Sequence, residues 1–219
     1  MKDPVRPVTA GQRARSARTR AAILKAAEQA FAESGLAGAR TEAIAAAAGV
    51  NKAMLYYYFK SKEQLYEAVV EDHFAEFNRQ ALELLRGAGS ARAVLMRYVE
   101  LQFDFIAARH RYASLHQQLM TGGGKRLDRL VQRYFAPRRE ALDGLMRRGI
   151  QDGEFRAADR FHAVVSITAL IVFYFSAAHV LRLLGHEDAW TAANLERRKS
   201  EVLDFIRHGL FLNPNLPVT

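Results

Sequence analysis

"TEAIAAAAGVNKAMLYYYF", residues 41–59, holds two short helical patterns joined at a glycine. Ile44, Ala45 and Ala48 give the first a narrow inward face of small residues, so a second helix can approach closely. Gly49 supplies the tight turn, Val50 plugs the corner, and Leu55 and Phe59, four apart, anchor the second helix inward. Helix, glycine turn, helix is the helix-turn-helix arrangement, whose second helix is free to enter a major groove. Asn51, Lys52, Ala53 and Met54 then occupy the outward N-terminal zone that reaches base edges.

Tyr56, Tyr57 and Tyr58 follow side by side. Successive helical residues point about 100° apart, so three tyrosines cannot share one inward face. A phenol O–H on the flank of such a helix can donate to a phosphate while its ring packs against sugar. Lys62 falls in the first turn of the next helix, where the helix dipole opposes a cation but where free N–H groups welcome an anion. Phosphate clamping by the tyrosines and Lys62 is the expectation.

Charge is distributed in the same sense. Residues 1–62 hold 11 Lys/Arg against 4 Asp/Glu, while the remainder holds 21 against 19. A basic N-terminal quarter on a near-neutral body points to a polyanion partner at one end. The chain of 219 residues has no cysteine, which excludes disulfides and thiolate chemistry. "MKDPVRPVTAGQRARSARTR" has no apolar core of a signal peptide, and a cytoplasmic protein is expected.

Working outward, apolar residues recur at three- and four-residue spacing with no convincing strand pattern. Residues 1–18 suggest a flexible basic arm. The first helix is expected from Thr19, its cap, to Ser34, with Gly35 as its left-handed exit. Thr41 and Asn51 suit the caps of the next two. Ser61 and Gln64 have capping-box spacing for a fourth helix, which ends near Arg86. Ser90 caps a fifth, reaching about Arg109, and another covers 111–121. Pro137 must kink or split the pattern over 125–148. Asp159 caps a long helix reaching about Leu184, and Thr191 caps a last one. The expected fold is all-α: an N-terminal three-helix domain with the helix-turn-helix (19–65), then a larger helical bundle (66–219).

"AAEQAFAESGLAGARTEAIAAAAGVNKAMLYYYFKSKEQLYEAV" resembles the DNA-binding domain of the TetR family of bacterial transcriptional regulators. The carriers are F-x-x-x-G, T-x-x-x-I-A-x-x-A-G-V and L-Y-Y-Y-F-K-S-K-E-x-L. The resemblance implies phosphate or base contacts from Thr41, Asn51, Lys52, Ala53, Tyr56, Tyr57 and Lys62, and from Tyr58, where His is common in the family. It also implies a homodimer, usually a repressor, released from a palindromic operator by a small-molecule effector.

"FHAVVSITALIVFYFSAAHVL" (161–181) carries no charge and is long enough to span a bilayer. Its Ser166, Thr168, Ser176 and His179, and its equal Arg flanks, fit a buried or subunit-interface helix better, and no membrane partner is expected. That helix and the last one are the natural dimer interface. The middle helices should enclose a pocket for a largely apolar or aromatic effector. Its candidate lining is Phe103, Ile106, Tyr112, His116, Met120, Tyr134, Phe135, Arg138, Met146, Phe173 and Tyr174, with His116 and Arg138 as polar handles. No cofactor, metal site or catalytic set is expected: "GGGKR" (122–126) lacks phosphate-loop spacing, and no HxxxH pair occurs. A membrane-anchored helical protein and an enzyme remain the alternatives to the regulator.

Overall fold

The first helix begins well before the apolar stripe that announces it. The computed structural model describes residues 9–109, 111, 115, 116, 119, 124–185 and 187–216. Helix α1 (Ala10–Gly38) is capped by Thr9, whose hydroxyl accepts from Gln12 N at 3.3 Å while Gln12 Oε1 accepts from Thr9 N at 2.9 Å. The arm expected over 1–18 is therefore helical from Ala10, and residues 1–8 lie outside the described residues. Arg and Ala are good helix formers, yet almost all of this segment is exposed, so no apolar period marks it. Thr19 is mid-helix rather than a cap, its hydroxyl donating to Arg15 O at 3.0 Å. Gly35, at φ 66°, interrupts the helix where the left-handed exit is expected.

Helices α2 (Thr41–Ala47), α3 (Lys52–Tyr58) and α4 (Lys62–Leu85) follow. The chain divides into two compact units, Met1–Asp72 and His73–Thr219, with the division inside α4. In the first unit Ile23, Ala27 and Phe31 of α1 meet Ile44 and Ala45, Leu55 and Phe59, and Leu65 and Tyr66, all buried. Each large apolar side chain buried this way stabilises the unit by roughly 1.5–3 kcal/mol. Phe31 and Tyr66 meet edge to face at 5.1 Å. The small face of α2 lets its backbone join the turn directly, Val50 N donating to Ala45 O at 3.0 Å, and Gly49 takes φ 68° to close it.

In the second unit α5 (Ala91–Ala107) is central, packed by α7 (Ala136–Gln151), α8 (Arg160–Ser176) and α10 (Ala192–Leu210). Leu95, Tyr98, Val99, Phe103 and Ile106 supply its buried faces, and Phe103 meets Phe175 of α8 at 5.0 Å. Ser90, Asp159 and Thr191 each cap as expected, accepting from Ala93 N, His162 N and Asn194 N. The start of α5 has a second cap from afar: Glu154 accepts from Ala91 N at 3.0 Å and Arg92 N at 2.8 Å. The helix expected over 111–121 falls largely outside the described residues.

Pro137 neither splits the chain nor breaks the helix. Helix α6 (Gly124–Leu130) passes through a π-helical turn, Val131–Phe135, into α7, with Pro137 in the first turn of α7. The Ala136 N–H reaches back to Val131 O, so the widened turn takes up the steric conflict between a proline ring and the preceding turn. The helix expected to reach Leu184 stops at Ser176 and restarts as α9 (Ala178–Leu183). Among the described residues no helix is long and apolar enough to cross a membrane, and no strand forms beyond an isolated Phe155–Phe211 bridge.

Candidate DNA-binding and effector sites

Asn51 opens α3 as its cap, Oδ1 accepting from Met54 N at 2.7 Å. That commits the oxygen to the backbone and leaves the amide NH2 for an outside acceptor. Lys52, Ala53 and Met54 are exposed beside it, while Leu55 is fully buried, so the first turn of α3 is turned outward as its sequence requires. Lys52 is ion-paired with Glu42 of α2, a partner that sequence spacing did not indicate. The shared hydrogen bond, then the opposite charge, lowers the Glu42 carboxyl and raises the Lys52 ammonium from their ordinary values.

The three tyrosines have three different environments. Tyr57 is 70% exposed and meets Tyr58 edge to face at 5.4 Å. Lys60 lies 5.7 Å from the Tyr57 ring centre and donates to Tyr57 O. Tyr56 is half-buried, its hydroxyl 3.4 Å from Thr41 Oγ1. Thr41 itself is buried and is the first residue of α2; the cap position belongs to Arg40, so Thr41 orients Tyr56 instead of capping. Tyr58 is half-buried and donates to Ser16 Oγ at 3.0 Å, tying α3 to the unanticipated part of α1. Tyr57 is therefore the tyrosine with the ring most open to solvent.

Lys62 has a local partner that sequence reasoning missed. Its ammonium donates to Ala37 O and Ala39 O, each at 3.2 Å. These carbonyls close the C-terminal turn of α1, where a cation is favoured. The charge that looked misplaced at the start of α4 is well placed at the end of α1. With three N–H bonds to give, the ammonium has a third beyond these two carbonyls.

In the second unit a cavity of about 860 Å³ lies among α4, α5, α7 and α8 and the π turn. Of the residues expected to line a pocket, His116, Phe135, Arg138 and Phe173 stand in its wall. Phe103, Ile106, Tyr134 and Met146 are buried in packing away from it, and Tyr174 donates its hydroxyl to Ala189 O at 3.0 Å. Tyr112 and Met120 lie outside the described residues. Phe77, Tyr98, Gln102 and Thr168 line the cavity without having been anticipated. Burial, and then the nearby Arg138 charge, pushes His116 down to about 4, so its imidazole is neutral at pH 7. Burial pushes the Tyr98 phenol up, so it too is neutral. Among the described residues no group of three His, Asp or Glu side chains could hold a metal ion.

Helix-turn-helix and helical bundle each have a counterpart in known proteins. Residues 23–69 match the family described as bacterial regulatory proteins, tetR family, and residues 92–206 match a tetracyclin repressor-like C-terminal domain. The chain belongs to the TetR family. It is similar to the HTH-type transcriptional repressor NicS of Pseudomonas putida, 33% identical over 183 residues, 78% of this chain and 82% of NicS. The fatty acid metabolism regulator protein of Bacillus subtilis is 26% identical over 61% of this chain and 69% of its own length. Among solved structures, a Saccharomonospora viridis putative transcriptional regulator in complex with choline has TM-score 0.73 at 22% identity, covering 90% of this chain and 100% of that one. FadR of Bacillus subtilis in complex with stearoyl-CoA has TM-score 0.69 at 23% identity, covering 85% and 96%. These two show that the TetR fold is shared. This TetR-family chain is a ligand-responsive, DNA-binding transcriptional regulator of the repressor type.

Proposed function

We propose that the chain works as a cytoplasmic homodimer that occupies a palindromic operator and leaves it when a small organic effector fills the 860 Å³ cavity. The observation that carries this is the pairing, in one chain, of an outward-turned α3 with a ligand-sized cavity in the other unit. Asn51, Lys52 and Ala53 would face base edges, while Tyr57 and Lys62 would hold phosphates. Tyr56, braced by Thr41, and Tyr58, braced by Ser16, would position the helix and reach the backbone from its flank.

A two-fold dimer suits the exposed apolar side chains of α8 and α10. Phe173 is 66% and Phe205 65% exposed, and a second copy would cover such surface. The two reading helices would then address half-sites about 34–36 Å apart, or a multiple of that. Helix α4 supports a route from effector to operator. It carries Lys62 at its start and Phe77, a cavity residue, further along.

The solved relatives of this fold hold choline in one case and stearoyl-CoA in another, so fold alone does not choose the ligand. The test is a mobility shift with inverted repeats from the DNA flanking the gene. One dimer per repeat, with affinity falling steeply as salt rises, is the expected result. A stable monomer at micromolar concentration, or equal affinity for scrambled duplex, refutes the reading.

A further inference from the structure

Among the described residues, the cavity wall contains a buried cation with no anion paired to it. Arg138 is 9% exposed, and its guanidinium lies 5.0 Å from the ring centres of both Phe77 and Phe135. Its Nη1 is buried without a hydrogen-bond partner among the described residues. Asp143, the carboxylate in the same wall, is engaged by Arg160 at 2.8 Å. His116 and Tyr98 are neutral and supply no charge. Aromatic faces soften the desolvation of a guanidinium but do not replace an acceptor for its N–H groups.

A second polar group in the wall is also unmatched. Gln102 is 5% exposed, and its Oε1 is buried with no hydrogen-bond partner among the described residues. An amide both donates and accepts, so it can bind a second polar atom of the same guest. Around these two groups the wall is aromatic and aliphatic: Phe135, Val164, Val172 and Phe173. The π turn at Val131–Phe135 shifts the helical register immediately before Arg138. Without that shift the side chains of α7 would point elsewhere around the helix.

We infer that the effector is an organic acid, an apolar or aromatic body bearing one carboxylate that Arg138 receives and a second polar atom that Gln102 receives. This rests on the reading of the cavity as the effector site. A guanidinium presents paired N–H donors in the geometry of a carboxylate, which a neutral amide cannot match with equal strength. Phe77 touches the same guanidinium, so neutralising Arg138 acts directly on α4.

The experiment uses the full chain and matched probes: benzoate, phenylacetate, 1-naphthoate and octanoate, each beside its carboxamide. Calorimetry should show at least one acid binding about 10- to 100-fold tighter than its amide. Arg138→Met keeps the stem against the two rings and should abolish that preference. Arg138→Lys should retain part of it. Amides bound as well as acids, an acid preference that persists in Arg138→Met, or no acid bound at about 1 mM, each overturns the inference. If Arg138→Met does not fold, the wild-type acid and amide pairs still decide. The two readings fail separately. Acids bound through Arg138 that never release operator DNA leave the carboxylate site at Arg138 standing and overturn its effector role. Neutral ligands that release the operator from the cavity do the reverse.

Discussion

Glu42 of α2 holds the ammonium of Lys52 in α3, an ion pair that bridges the two helices of the helix-turn-helix. Both side chains are exposed, so the pair contributes little to stability. Its consequence is for charge on the reading face. A carboxylate there repels phosphate and occupies the lysine that would meet a base edge or phosphate.

Glu42→Gln should therefore tighten binding to every duplex by about 3- to 10-fold and steepen the salt dependence by about one unit of slope. Lys52→Ala should do the opposite, and also relax sequence preference if Lys52 reaches guanine. Fluorescence anisotropy across a salt series, on operator and scrambled duplexes, measures both. Weaker binding by Glu42→Gln would mean that the pair orients Lys52 for DNA instead of withholding it.

Lys62 holds the end of α1 and is proposed to hold a phosphate as well, so its loss should show twice. Removing the two hydrogen bonds to Ala37 O and Ala39 O should destabilise the chain by about 1–2 kcal/mol. Removing a phosphate contact should weaken all duplexes alike and reduce the salt slope by about 1. Lys62→Met, examined by thermal melting and by the salt series, separates these. A normal melt with reduced DNA affinity would show that the carbonyl contacts contribute nothing.

Gly149 of α7 is required by its neighbour. A methyl group there would lie 2.2 Å from the Phe155 ring, which is buried and stacked on Phe211. Overpacking of this kind costs about 1–3 kcal/mol, and the rigid ring leaves little slack. Gly149→Ala should lower the melting temperature, and Phe155→Leu in the same chain should recover part of the loss, a coupling read by a double-mutant cycle. Additive losses would show that the two residues do not conflict.

The sequence made the reading head legible and left the cavity blurred, for one reason. Apolar periodicity reports which face of a helix leaves water, so Ile44, Ala45, Leu55 and Phe59 could be placed. It is silent on a helix that is exposed all round, which is why residues 10–18 passed for an arm. It is equally silent on partners brought together by the fold, such as Glu42 with Lys52, Ser16 with Tyr58 or Lys62 with Ala39. Aromatic content pointed to a pocket, but core and cavity wall use the same residue types. Phe103 is core and Phe77 is wall because of which neighbours face them. The π turn before Pro137 moves the register again, and no periodic template carries it.

His116 gives the cavity a pH signature with a definite sign. Its imidazole is pushed down to about 4 by burial and then by Arg138, against an ordinary value of 6.5. Above the ordinary value both folded and unfolded chains are neutral at this residue, and it contributes nothing to pH dependence. Between the two values the unfolded chain binds the proton and the folded chain does not, so stability falls as pH falls through that window. Full protonation would cost roughly 3–4 kcal/mol, since one pKa unit is about 1.4 kcal/mol. Carboxylates titrate at the lower end of the same range, so the measurement is a difference: denaturant melts of the wild type and His116→Gln from pH 7 to pH 4. The variant should lose less stability on acidification. An organic acid on Arg138 stabilises both proteins by binding the folded state, but it also offsets the charge that helps depress His116, so it should flatten the pH dependence of the wild type more than that of the variant. Parallel curves for the two proteins, with and without the acid, would show that His116 is not held neutral in the fold.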